Sequence, residues 1–123
     1  MIKNLLIVGL GGAAGSMLRY AVQRFFQAQT AAAFPTGTLL VNIAGCFLIG
    51  ILWGLSFRFT AHAESWKIFL MTGLCGGFTT FSAFTLEGIG LLKESKTSLF
   101  IIYVTASVVG GLLATFIGIR IAK

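Results

Sequence analysis

Residues 73–84 read G-L-C-G-G-F-T-T-F-S-A-F. The stretch lies in the middle of an apolar segment long enough to cross a bilayer. Three glycines, three hydroxyls and three phenylalanines share its twelve positions. A helix is expected to break there. Broken backbone at membrane depth is tolerated only where protein or a water-filled path surrounds it. A site for an ion or solute is therefore expected at this point of the chain.

Working outward, the rest of the sequence is of membrane type. The chain has 123 residues, 57% hydrophobic and 10% charged, with a mean hydropathy of +0.97. A soluble domain of this size has no use for so much apolar surface. A spanning helix needs about 20 mostly apolar residues. Four such windows occur, at residues 5–26, 37–57, 66–92 and 99–121. The expected fold is an all-α membrane protein of four transmembrane helices, the third broken near its middle, forming one transmembrane domain over residues 1–123. Lys3, an apolar run and Ala31-Ala32-Ala33 faintly mimic a signal peptide. Arg19 interrupts the run, so it reads as a retained first helix.

The net charge of +6 does not point to nucleic acid, because the basic residues sit at span ends. Cys46 and Cys75 fall inside spans without zinc-type spacing and read as reduced, buried small residues. His62 falls in a short loop and reads as inert. With four helices, Lys3, Arg58, Lys67, Arg120 and Lys123 lie on one side, and Arg24, Lys93 and Lys96 on the other. Such a weak bias lets copies insert both ways up. Two inverted copies can then pair about an axis in the membrane plane, the two-chain analogue of inverted repeats. The alternative is a dimer of single topology. Gly11/Gly15, Gly50/Gly54 and Gly73/Gly77, with the row Gly110, Ala114 and Gly118, mark close helix packing.

Each helix carries polar residues at depth. Arg19 either snorkels to the far headgroups or lines an anion-attracting vestibule. Asn42, in G-T-L-L-V-N, offers two donors to an anion or a bond to a neighbouring helix. In the third span, a first half ending near Gly76 would present free carbonyls to a cation. A second half would begin near Thr79 or Thr80, whose hydroxyls can cap it. If the break lies on a two-fold axis, two carbonyls per chain make four oxygens, which suit a small monovalent cation. Phe81 and Phe84 share a face beyond the break, and a ring's positive edge can meet a small anion. Ser82 lies between them. Glu87 is expected to be paired or hydrogen-bonded, Arg19 being one candidate partner. Tyr103, Ser107 and Thr115 with Gly111 form a winding stripe of hydroxyls on the fourth span. Bonding back to their own helix is the alternative.

G-S-M-L-R-Y, G-T-L-L-V-N and especially G-L-C-G-G-F-T-T-F-S-A-F resemble the CrcB/Fluc family of fluoride channels, over the whole chain. The resemblance implies an antiparallel, dual-topology homodimer in a bacterial plasma membrane (the inner one in a Gram-negative cell). It implies two fluoride pores and one central structural sodium ion. Backbone carbonyls of Gly76 and Thr79 would hold the sodium. Asn42, Phe81 and Phe84 would line the pores, with Ser82, Tyr103, Ser107 and Thr115 as a polar track. Arg19 would stand near the vestibule and Glu87 would be the acidic residue after the phenylalanines. Ala83 departs from relatives that carry a hydroxyl there.

The expected function is passive, fluoride-selective export that lowers cytoplasmic fluoride. Rival readings have weaker support. A small proton-coupled multidrug exporter needs a carboxylate in the first span, and none is present. A non-transporting scaffold has no use for Arg19, Asn42 and a polar break together. An enzyme is disfavoured by the lone His62 and the lack of a nucleophile–base pair.

Overall fold

A computed structural model describes residues 1–29, 34–58 and 64–123. The alanines at 31–33 and His62 lie outside the described residues. The described chain is helical, with no strand. Helix α1 covers Ile2–Gln29, α2 Thr36–Ser56 and α6 Thr97–Ala122. Between α2 and α6 runs the third span, in two legs. The first leg is α3 (Glu64–Lys67), a π-helical segment (Ile68–Cys75) and α4 (Gly76–Phe78). The second leg is α5 (Phe81–Lys93). Among the described residues, four spans are long and apolar enough to cross a membrane. Their ends fall within three residues of the sequence expectation. The π winding was not foreseen.

Small residues decide which helices pair. α1 lies along the first leg, and α2 along α6. A side chain on Gly11 would strike the Phe69 carbonyl, and one on Gly15 would strike Leu74 and Phe78 backbone. Gly73 and Gly77 face Gly11 and Gly12 in return. On the other seam, Gly50 meets the Thr115 backbone and Gly118 meets Phe47 and Ile51. Backbones this close gain dispersion contacts, which lipid cannot match as a driving force for helix association. Among the described residues, the largest fully buried side chains are Tyr103, Val41, Thr38 and Cys75. Large apolar residues such as Leu10, Met17, Leu112 and Phe116 are exposed, as lipid contact requires.

Candidate functional site

The third span stops being helical for two residues. Thr79 (φ −89°, ψ 158°) and Thr80 (φ −152°, ψ 117°) are extended. Thr80 caps α5: its Oγ1 accepts from Ala83 N at 3.1 Å, which satisfies one orphan donor of the new helix. Thr79 closes the first leg by donating Oγ1 to the Cys75 carbonyl at 2.9 Å. The break thus falls at the threonines, as the pattern predicts, with Thr80 as the cap.

Two polar side chains from other helices hold the broken segment. Asn42 of α2 pairs with both the N–H and the C=O of Thr80. Its Oδ1 accepts from Thr80 N at 2.8 Å, and its Nδ2 donates to the Thr80 carbonyl at 3.1 Å. One amide hydrogen of Asn42 remains. Arg19 of α1 donates Nε to the Gly77 carbonyl at 3.0 Å. Glu87 finds a different partner: Tyr103 Oη donates to its Oε1 at 3.2 Å. Arg19 and Glu87 are therefore not each other's partners here. Tyr103 is wholly buried, and a phenol at that depth needs an acceptor.

The structure gathers most of the expected residues around one groove. Asn42, Gly76, Thr79, Phe81, Phe84 and Ser107 line a cleft of about 480 Å³ on the protomer surface. Phe81 and Phe84 lie 5.7 Å apart, and Phe84 touches Tyr103 at 5.2 Å between ring centres. Phe81 is 76% exposed. The Ser107 hydroxyl oxygen is buried without a hydrogen-bond partner in the protomer. Ser82 sits on the exposed side of α5, with its hydroxyl 3.2 Å from that of Thr80. Thr115 stands apart, donating to the Cys46 carbonyl at 3.1 Å within the α2–α6 seam.

A second, polar bowl of about 490 Å³ opens between α1, the start of α2 and α5. Gln23, Arg24, Thr38, Glu87 and Glu94 are among its walls. Thr38 accepts from Gln23 Nε2 at 3.0 Å. Sequence reasoning passed over Thr38, although it stands four residues before Asn42 on the same helix face. Glu87 belongs to the bowl and Phe84 to the groove. Tyr103 touches both, so it joins the two openings.

The model of the family described as CrcB-like protein, Camphor Resistance (CrcB), matches residues 6–119. The chain belongs to the CrcB family. Curated relatives carry the name Fluoride-specific ion channel FluC. That of Leptospira interrogans serovar copenhageni is 43% identical over 121 residues, covering 98% of this chain and 95% of that protein. That of Flavobacterium psychrophilum is 43% identical over 122 residues, covering 99% and 98%. That of Rhizobium meliloti is 42% identical over 122 residues, again covering 99% and 98%. This CrcB chain is a multi-pass membrane protein and not an enzyme.

Proposed function

We propose that this CrcB chain is a passive, fluoride-selective channel, working as an antiparallel dual-topology homodimer with two pores and a central structural sodium ion. Its named relatives support fluoride as the solute. The observation that carries the pore reading is the groove. It sets Phe81, Phe84, a buried unpartnered Ser107 hydroxyl and Asn42 around one cleft, open on the side where a second copy would close it.

The chemistry is suited to a small, strongly hydrated halide. Neutral hydroxyls, an amide hydrogen and ring edges replace water around the ion, while no fixed cation traps it. Chloride, being larger, gains less from close donors. The bowl at Glu87 and Thr38 would be the aqueous mouth, and Tyr103 the step from bowl to rings. Sodium fits the donor set at the break. Gly76 is exposed in the groove with open space where a side chain would stand, and Thr79 lines the same wall. Two carbonyls from each of two copies, without a carboxylate, match a monovalent ion. The ion would tie the two copies together at their breaks. Export follows the electrochemical gradient, since the chain has no phosphate-binding loop.

The test is fluoride release from liposomes loaded with potassium fluoride, read by a fluoride electrode. Rapid release with chloride retained is the expected result. Vesicles that stay fluoride-tight around assembled protein would overturn the proposal.

A further inference from the structure

The carbonyls of Cys75, Gly76, Gly77, Thr79 and Thr80, around the break, differ in their partners. Helical winding still serves the Cys75 carbonyl, which accepts from Thr79 N at 3.0 Å. One residue on, the donor due to the Gly76 carbonyl is Thr80 N–H. That hydrogen goes to Asn42 Oδ1 instead. Thr79 precedes the cap of α5, so no helical N–H is due to its carbonyl, and the orphan Ala83 N–H goes to Thr80 Oγ1. By contrast the Gly77 carbonyl is covered by Arg19, and the Thr80 carbonyl by Asn42 Nδ2. Asn42 therefore diverts a donor from the Gly76 carbonyl, while side chains supply donors to the Gly77 and Thr80 carbonyls.

We infer that Asn42 is a positioning residue for the cation cradle, acting through Thr80. It holds the Thr80 N–H away from the Gly76 carbonyl, so that this oxygen is left for an ion. The inference rests on the proposed role of Gly76 and Thr79 as sodium ligands. It adds a duty to Asn42 beyond the pore wall, because the amide needs both an acceptor and a donor to grip the N–H and the C=O of one residue. A carboxylate keeps the acceptor alone. A methyl group keeps neither, and the Thr80 N–H can then return to the Gly76 carbonyl, where it competes with the ion.

The experiment uses the full chain as purified dimer. Sodium chloride is titrated against choline chloride at constant ionic strength, and the midpoint of thermal dimer dissociation is followed. Sodium stabilises the parent. Asn42→Ala needs about tenfold more sodium for the same stabilisation, the scale of one hydrogen bond. Asn42→Asp keeps the parent's sodium requirement or lowers it, while its fluoride flux falls because a negative charge now borders the anion path. An Asn42→Ala dimer with the parent's sodium response overturns the inference and leaves the cation reading standing. A parent that ignores sodium removes both, whatever the flux assay shows. If Asn42→Ala does not assemble, Asn42→Leu decides the matter, since it fills the same space without an acceptor for the Thr80 N–H. A raised sodium requirement supports the diverted-donor account, and an unchanged one overturns it.

Discussion

The two legs of the third span are built in opposite ways. The first leg, residues 64–78, lies backbone to backbone against α1, with Gly73 and Gly77 set into Gly11 and Gly12. The second leg, α5, has no such seam. Its contacts run mainly to α6, and Phe81, Ser82, Thr85, Leu86 and Ile89 are exposed. One leg is fixed by its own chain. The other displays aromatic and hydroxyl groups to whatever covers it. The clamps from Arg19 and Asn42 sit where the two meet, so the displayed leg starts from a fixed point.

The comparison breaks first at its rigid side. Gly15→Leu drives a side chain into the Leu74 carbonyl and the Phe78 amide. A loss of about 3 kcal/mol or more is expected, from overpacking against backbone that cannot yield. Loss of the folded protein in detergent by size exclusion checks it, and a normal elution profile would mean that this seam is softer than described. On the displayed leg, Phe81→Ile and Phe84→Ile leave assembly intact and cut fluoride flux by about tenfold, the scale of one ring-edge interaction. Unchanged flux in both variants would remove the rings from the pathway.

Smaller changes sharpen the contrast. Gly76 and Gly90 both have open space around them in the protomer. If a second copy meets the break as proposed, Gly76→Ala weakens the dimer by about 1–3 kcal/mol, seen as a shift in the dissociation midpoint. An unshifted midpoint places the interface elsewhere. Gly90→Ala lies away from the groove, on the wall of the bowl, and replaces a poor helix former. It should stabilise α5 by up to about 1 kcal/mol, read as a raised melting temperature.

Much of this architecture was legible in residue order. Span length and hydropathy place the helices, and the threonine pair after two glycines places the break. The hydroxyl of Thr80 acts as the cap that its position predicts. The pairings across helices were not legible. Nothing local distinguishes Arg19 reaching the Gly77 carbonyl from Arg19 reaching Glu87, because the choice depends on how α1 rotates against the first leg. Asn42 was singled out as a donor, yet its grip on both backbone groups of Thr80 needs α2 at a particular height. Thr115 looked like the continuation of a stripe with Tyr103 and Ser107. Its partner is the Cys46 carbonyl, because the stripe winds around α6 and carries Thr115 into the α2 seam. The π winding has no sequence signature here at all.

That winding gives the third span a reserve of length. Elsewhere in the span, for example within α5, losing one residue swings everything beyond it by about 100°. Residues Ile68–Cys75 already carry i to i+5 closure. A deletion there can be absorbed by returning to ordinary α winding, with both glycine seam and threonine break kept in register. Indels that adapt the protein to a thinner bilayer should accumulate within that winding ahead of the seam residue Gly73 and avoid the thirteen positions of α5.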